Sequence, residues 1–437
     1  MKVLLIDNSG RGHATADLMV RTNPDAVVYY APGCDAITTE RVISRQDLTL
    51  GAVAPMVDFA RQEKVDLVLV SCTSALAAGF ADEFRLAGLP TIGPGKTAAR
   101  LETSKVYTKH LCERYGIPVA DFACFDDPHS AYDYVKSRSR PVVIKADGLC
   151  GGNGTFVCDD LEAASVAIDT LMVRRAFGAS GDRVVVEDKL LGHELLFFAM
   201  VSDGQWQLLP MAVDYPWSDD GDTGVLCGGV GAYSPHPFDT PSIRELFRRQ
   251  ILAPLLDAID SEGLEYTGIL YVGCMLVDGD LYLLEVNVRM GDPEAEVALP
   301  QIRSDFLATC WAMHEGRLDQ SPPMELDGLW YCDVIATQGP TRQVSKGRNK
   351  GWYKGWPYGR YGRYYPISGI EDVDTDACRV YVGQATVHPE KGLVTDGGAC
   401  INVVGFGATK EIAATNAYAN IGKVSFEGMR YRTDIGR

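Results

Sequence analysis

The run Leu284-Glu285-Val286-Asn287-Val288-Arg289-Met290-Gly291-Asp292-Pro293-Glu294 sets a carboxylate, an amide and a guanidinium at every second position. Side chains of a β-strand alternate between its faces, so Glu285, Asn287 and Arg289 are expected on one side while Val286 and Val288 bury the other. Mg²⁺ takes hard oxygen ligands and usually shares its shell with nucleotide phosphates. A carboxylate and an amide oxygen beside an arginine therefore suit a metal–phosphate site such as bound ATP. The alternative is an amphipathic edge strand with a solvated polar face, which needs no chemistry.

The elements around this run must position it. Two strands at about 267–277 and 281–289, joined by Asp278-Gly279-Asp280, form a hairpin that delivers the polar face. Two glycine-rich tracts could fold over phosphates, because glycine allows close backbone approach and positive φ. The first, Asp147-Gly148-Leu149-Cys150-Gly151-Gly152-Asn153-Gly154, lies between strands at 141–145 and 183–187, which a helix near 160–175 separates. It lacks the G-x-x-x-x-G-K-[ST] ending, which excludes a P-loop. The second runs from Gly221-Asp222-Thr223-Gly224 to Gly228-Gly229-Val230-Gly231 and precedes a helix near 241–260.

Upstream, short apolar strands at 3–6, 26–30 and 67–70 alternate with helical patterns near 13–21, 52–63 and 75–87, which predicts a parallel, doubly wound sheet. Gly10-Arg11-Gly12-His13 follows the first strand and opens a helix, where N–H groups and the helix dipole can hold an anion; a tight structural turn is the alternative. Gly93-Pro94-Gly95, before a helix from about 97 to 115, marks a boundary near 95–100. Past about 321 the chain is strand-rich again, at 331–337, 379–382 and 401–405, and closes on a helix near 409–424.

The length, 437 residues, suits two to four domains, and the formal charge of -17 argues against a nucleic-acid or anionic-membrane partner for the protein as a whole. The 12 cysteines are scattered and form no C-x-x-C, as expected of free thiols in a reducing, cytoplasmic compartment. The N-terminal apolar run is too short for a signal peptide, and no later run suits a membrane span. Residues 341–365 stand apart, with seven Lys/Arg, seven Trp/Tyr, five glycines and no acid. Such a segment can stack on and neutralise a nucleic acid or phosphorylated ligand, or serve as an exposed loop that offsets an acidic body.

Taken in order, the motifs resemble the phosphoribosylamine–glycine ligase (glycinamide ribonucleotide synthetase) family of the ATP-grasp superfamily over nearly the whole chain. Leu101-Glu102-Thr103-Ser104-Lys105 is similar to that family's LExSK, and Val143-Ile144-Lys145-Ala146-Asp147-Gly148-Leu149 to VIKADGL. Val184-Val185-Val186-Glu187 is similar to its hinge strand, Gly228-Gly229-Val230-Gly231-Ala232-Tyr233-Ser234-Pro235 to GGMGAYSP, and Glu285 to Glu294 to EFNCRFGDPE. The ending from Gly428 to Gly436 is similar to GMxYRxDIG.

The resemblance implies an ATP-grasp fold. A doubly wound domain would span 1–100, an ATP-grasp domain 101–320 with a lid at about 117–190, and a strand-rich domain 321–437 carrying the 341–365 insertion. It implies ATP with Mg²⁺ or Mn²⁺ as cofactors. Lys105 and Lys145 would contact the phosphates, Gly148, Gly151, Gly152 and Gly154 would cover them, the backbone from Glu187 to Leu190 would meet adenine, and Glu194 the ribose. Glu285 and Asn287 would hold the metal, with Arg289 and Asp292 as the catalytic pair. Gly10, Arg11, His13, Asp222, Gly228 and Gly229 would bind substrate, although local packing at a helix start suits His13 as well. The implied reaction phosphorylates a carboxylate with ATP, after which an amine displaces phosphate to give an amide. Positioning and charge neutralisation carry such chemistry, so no protein nucleophile is required. The partners are small molecules, and the chain is a monomer or a small homo-oligomer.

The departures gather where substrates other than ATP would sit. GGREHA is here Ser9-Gly10-Arg11-Gly12-His13-Ala14, and GPEAPL is Ser71-Cys72-Thr73-Ser74-Ala75-Leu76, each losing a glutamate. PNTGG becomes Val225-Leu226-Cys227-Gly228-Gly229, TNGGR becomes Thr395-Asp396-Gly397-Gly398-Ala399, and the phosphate-facing GKG becomes Gly152-Asn153-Gly154. The stretch Val213-Asp214-Tyr215-Pro216-Trp217-Ser218 lacks a basic pair. A ligase for glycine and phosphoribosylamine and a paralogue for another amine or acid therefore both stay open. A third class is a non-catalytic nucleotide- or RNA-binding module using 341–365.

Overall fold

The computed structural model describes residues 1–138, 140–339 and 362–437, with the backbone of 342–343 and 353–354. Most of the basic and aromatic segment at 341–365 therefore lies outside the described residues.

The first part alternates strand and helix: β1 (Lys2–Asp7), α1 (Gly10–Thr22), β2 (Val27–Pro32), β3 (Val42–Ser44), α2 (Ala54–Glu63), β4 (Leu67–Val70), α3 (Thr73–Ala78), α4 (Phe80–Leu86) and β5 (Thr91–Ile92). All five strands are parallel, in the order β3-β2-β1-β4-β5. Their near-continuous apolar runs suit a sheet covered on both faces. The order reverses between β1 and β4, and in such sheets the crevice at the strand C-termini is where ligands bind. The loops carrying Gly10 and Thr73 leave from there. The helical pattern near 75–87 is two helices, broken at Gly79, whose φ of +88° ends α3.

Next come α5 (Arg100–Thr103), α6 (Lys105–Arg114), β6 (Phe122–Phe125), α7 (Pro128–Arg138), β7 (Val142–Ala146), β8 (Thr155–Cys158), α8 (Leu161–Ile168) and β9 (Val184–Asp188). The four strands form an antiparallel sheet in the order β6-β9-β7-β8, with its own small core. The Ser104 hydroxyl caps α6 by accepting the Tyr107 N–H, and Asp147 in turn accepts from Ser104 Oγ at 2.7 Å and from Val106 N at 2.9 Å. This capping ties the start of the Lys105 helix to the first glycine tract.

The chain then enters β10 (His193–Ser202), β11 (Gln205–Leu208), β12 (Val213–Asp214), β13 (Trp217–Asp219), β14 (Thr223–Leu226), β15 (Gly231–Ser234), α9 (Pro241–Phe247), α10 (Ala253–Ser261), β16 (Thr267–Val277) and β17 (Asp280–Asn287). Strands β11-β10-β16-β17 make a second antiparallel sheet. The sequence pattern misses β10, because His193-Glu194-Leu195-Leu196-Phe197-Phe198-Ala199-Met200-Val201 shows no polar alternation. Leu195, Phe197, Ala199 and Val201 enter one core, while Leu196, Phe198 and Met200 enter the other. A strand buried on both faces has no polar side to betray its period.

The last elements are α11 (Glu294–Ala298), α12 (Phe306–His314), β18 (Trp330–Gln338), β19 (Arg342–Gln343), β20 (Tyr353–Lys354), β21 (Cys378–Val382), β22 (Ala385–His388), β23 (Gly392–Thr395), β24 (Ala399–Gly407), α13 (Lys410–Ile421) and β25 (Met429–Arg430). A third antiparallel sheet runs β12-β15-β18-β24-β21, with β25 also on β18, and α13 packs across β24 and β18. Strand β15, drawn from the second glycine tract, thus joins the C-terminal sheet. Among the described residues no helix is long and apolar enough to cross a membrane.

Candidate active site

Strand β17 is not a simple alternation. Glu285 pairs with Gly273 and Leu283 with Cys274, which leaves Leu284 as an extra residue. This bulge changes the parity of the strand: Leu281 and Leu283 face the core before it, Val286 and Val288 after it. Without it Glu285 would follow Leu281 and Leu283 into apolar packing. With it, Glu285, Asn287 and Arg289 line one cavity, as the sequence spacing predicts, although Arg289 lies beyond the end of the strand. The bulge also frees a carbonyl, since Leu284 O accepts from Lys145 Nζ at 3.1 Å.

Arg289 is fixed by four acceptors. It donates to Glu102 Oε1 at 2.8 Å, Thr73 Oγ1 at 3.1 Å, Asn287 Oδ1 at 3.1 Å and the Met290 carbonyl at 2.9 Å. Glu102 also takes the Val288 N–H at 3.0 Å and the Thr73 hydroxyl at 3.2 Å. Neither Thr73 nor Glu102 was singled out from sequence for a role. Each stands inside a quoted motif, Glu102 in 101–105 and Thr73 in 71–76, where it takes the place of the lost glutamate. Asn287 Nδ2 donates to Glu285 Oε1 at 3.1 Å, so the three polar side chains of the run form one chain of hydrogen bonds.

A second cluster lies around Lys109 and Lys145. The buried Glu187 carboxylate bridges Lys109, at 2.6 Å, and Lys145. Burial opposes the charge on Glu187, but the two lysines outweigh it and hold the carboxyl below its usual range. Burial likewise opposes the charge on Lys145, while Glu187 and Glu285 raise its pKa above the usual value. Lys109, buried deeper against the Lys145 charge, is pushed down. Lys145 is therefore a firmly charged group at the cavity wall, with Glu187 as its counter-ion.

The cavity measures about 870 Å³ and lies where the parallel sheet and the three antiparallel sheets meet. Its wall includes Gly10, Arg11, Lys105, Lys145, Gly151, Gly152, Gly154, Glu187, Leu190, Glu194, Gly228, Gly229, Glu285, Asn287, Arg289 and Asp292, all expected site residues. The two glycine tracts touch: at Gly152, with φ +82°, an added Cβ would come within 2.7 Å of the Gly228 Cα. Three expected residues stand outside the wall. Gly148 packs on Ser180. His13, on α1, is half-buried against β21, where its Nδ1 accepts the Val382 N–H at 2.9 Å, and the loss of solvent drives its pKa down to about 4. Asp222 sits in the β13–β14 turn and pairs with Arg432 at 3.0 Å, part of a clamp from the chain's end onto that hairpin.

Carboxylates dominate the remaining wall. Glu194 stands exposed at the rim of the cavity; burial, then Glu294 and Glu194, raises Asp214 well above its usual value, and burial raises Glu294 to about 6. Asp214 Oδ1 has no hydrogen-bond partner. Glu285 differs, because burial is outweighed there by Lys105, Lys145, Asn287 and Arg289, which keep it ionised. The site thus pairs a cationic rim with an uncompensated acidic wall, as a polyphosphate carrying a divalent cation would require.

Family models match in chain order: the phosphoribosylglycinamide synthetase N domain at residues 1–102, its ATP-grasp (A) domain at 103–295 and its C domain at 353–437. The phosphoribosylamine–glycine ligase of Neisseria meningitidis serogroup B is 36% identical, over 100% of this chain and 98% of its own. The chain belongs to the phosphoribosylamine–glycine ligase family. The crystal structure of that ligase from Thermotoga maritima superposes with a TM-score of 0.77 at 29% identity, covering 99% of this chain and 100% of the other. The biotin carboxylase domain of Hydrogenobacter thermophilus 2-oxoglutarate carboxylase, solved with MgADP, has a TM-score of 0.68 at 16% identity and covers 98% of this chain and 91% of its own, a likeness of fold alone. The chain is an ATP-grasp ligase that forms C–N bonds and uses ATP with Mg²⁺ or Mn²⁺.

The residues present fit such a metal. Among the described residues no group of three or more His, Cys, Asp or Glu could hold an ion without other ligands. Mg²⁺ bound with a nucleotide needs only one or two protein oxygens besides phosphate and water. Glu285, kept ionised and hydrogen-bonded to Asn287, is a carboxylate–amide pair of that kind.

Proposed function

We propose that this protein joins glycine to 5-phosphoribosylamine with ATP, giving glycinamide ribonucleotide, ADP and phosphate. The observation that supports this most is the linked Glu285–Asn287–Arg289–Glu102 array in the wall of the cavity, in a chain similar to phosphoribosylamine–glycine ligases over its full length. Lys105 and Lys145 bind the phosphates, the 148–154 loop covers them, the backbone from Glu187 to Leu190 meets the adenine and Glu194 the ribose. Glu285 and Asn287 would hold the metal, which would neutralise phosphate charge. The glycine carboxylate attacks the γ-phosphorus, and Arg289, locked by Glu102 and Thr73, faces the charge that develops on the transferred group. The amine then attacks the acyl phosphate, forming the C–N bond as phosphate leaves.

The amine side is assigned to the ends of β1 and β4, with Gly10, Arg11, Gly228 and Gly229 in the wall and Asp292 between the two halves. The neutral, packed His13 and the clamped Asp222 support that end from behind it. We place the domain limits at 1–100, 101–320 and 321–437. The twelve cysteines are all free, in keeping with a reducing cytoplasm. The test is ADP release with glycine and freshly generated phosphoribosylamine, separately and together. Stimulation by the pair supports this substrate assignment, whereas stimulation only by another acid and amine overturns it in favour of a paralogous ligase.

A further inference from the structure

Two buried ammonium groups share one carboxylate beside the cavity. Glu187 pairs with Lys145 through one oxygen and with Lys109, at 2.6 Å, through the other, and the three residues are 3%, 5% and 2% exposed. One counter-ion would satisfy Glu187, because a buried ion pair already carries the desolvation cost of two charges. The second ammonium adds to that cost and repels the first. Burial, and then the Lys145 charge, lowers the Lys109 pKa against the pull of Glu187. The fold holds both lysines there nonetheless. Lys109 Nζ donates to the Leu283 carbonyl at 3.3 Å and Lys145 Nζ to the Leu284 carbonyl at 3.1 Å, so they grip consecutive carbonyls at the β17 bulge.

Their positions differ. Lys145 and Glu187 line the cavity, whereas Lys109 stands behind the wall on α6. The other cations of the wall are matched by acids. Arg11 pairs with Asp7 at 3.0 Å, Arg289 with Glu102 at 2.8 Å and Lys189 with Asp159 at 2.7 Å, and the Lys105 charge helps to keep Glu285 ionised. Were Glu187 shared with nothing else, it would match Lys145 in the same way. Lys109 supplies the surplus.

We propose that Lys109 is a positioning residue for nucleotide phosphate that acts through Glu187: by sharing that carboxylate it leaves the Lys109–Glu187–Lys145 group with one net positive charge, which Lys145 presents to the cavity. Without Lys109, Glu187 and Lys145 form a pair of zero net charge, and the Coulomb attraction for a polyphosphate falls accordingly. The inference rests on the assignment of Lys145 to the ATP phosphates.

Titration calorimetry with ADP and with adenosine, at fixed Mg²⁺ and without turnover, tests it. Adenosine carries the same base and sugar but no phosphate, so the ratio of the two affinities isolates the charge. The proteins are wild type, Lys109→Gln, Lys145→Gln and the double variant Lys109→Gln/Glu187→Gln. Lys109→Gln should reduce the preference for ADP by about tenfold while its affinity for adenosine holds. The double variant loses one charge of each sign, which restores the net charge of wild type, so it should regain the preference. A residue that only packs would not be rescued by a second substitution beside it. Full preference in Lys109→Gln with loss in Lys145→Gln overturns the inference and leaves the Lys145 assignment standing. Full preference in both single variants, or none in wild type, overturns that assignment and the inference with it. A folded double variant without the preference also overturns the inference, and it decides the question where Lys109→Gln does not fold.

Discussion

Glu285→Gln is the perturbation with the clearest expected split between folding and turnover. In the free protein Glu285 accepts one hydrogen bond, from Asn287 at 3.1 Å, and a glutamine oxygen can accept the same bond. Its charge also repels the Glu194 carboxylate at the rim of the same cavity. Neutralising position 285 relieves that repulsion while weakening the hold on Lys105 and Lys145, so Tm should change little. Turnover should not survive so well. Removing the charge from one contact to a charged ligand costs about 1.5–3 kcal/mol, which corresponds to about one to two orders of magnitude in rate. The assay is coupled ADP release at saturating Mg²⁺, with thermal unfolding of the same preparation. Wild-type ADP release from a folded Glu285→Gln protein would refute the metal assignment, and collapse of the fold would refute the claim that its charge serves the ligand.

Further perturbations separate binding from positioning. Thr73→Val removes one of the four acceptors of Arg289 and should lower kcat by about threefold to tenfold, with the KM for ATP nearly unchanged, as steady-state kinetics can show. Gly152→Ala places a Cβ 2.7 Å from the Gly228 Cα at a φ of +82°, so the KM for ATP should rise while Tm changes little. His13, whose pKa falls from about 6.5 to about 4 on folding, binds fewer protons folded than unfolded between those values. Its contribution is full above pH 6.5 and is lost as pH falls through about 4, about 3 kcal/mol in all. Denaturant titrations from pH 7 to pH 4 should show that much less acid sensitivity in His13→Asn.

The polar face at 285–289 was legible because residue types alternate there, yet the reason it works was not. Spacing alone cannot show the Leu284 bulge, which depends on where β17 pairs with β16, and without it Glu285 would join the core. Strands with one polar side, and helices with clear caps, were readable within a few residues. Strand β10 was not, being apolar on both faces, and neither was the splitting of the helix at 75–87 by Gly79. The ATP half of the site consists of local motifs, so Lys145, Gly152 and Glu285 could be named in advance. The partners that fix the site come from far along the chain, 216 and 187 residues away for Thr73 and Glu102 on Arg289 and 78 for Lys109 on Glu187. Such pairings are properties of the fold. His13 shows the converse, a residue in a family motif whose packed, neutral state only the tertiary structure reveals.

The central claim is that this cavity activates a carboxylate by phosphorylation, and isotope transfer tests it most directly. With glycine labelled with ¹⁸O in its carboxylate, ATP, Mg²⁺ and phosphoribosylamine, attack of the carboxylate on the γ-phosphorus leaves one labelled oxygen bridging carbon and phosphorus. When the amine displaces phosphate, that oxygen departs with it. The account predicts one ¹⁸O in each phosphate released, read by mass or by the ³¹P isotope shift, together with one labelled oxygen in the amide. Unlabelled phosphate formed alongside the amide would contradict it.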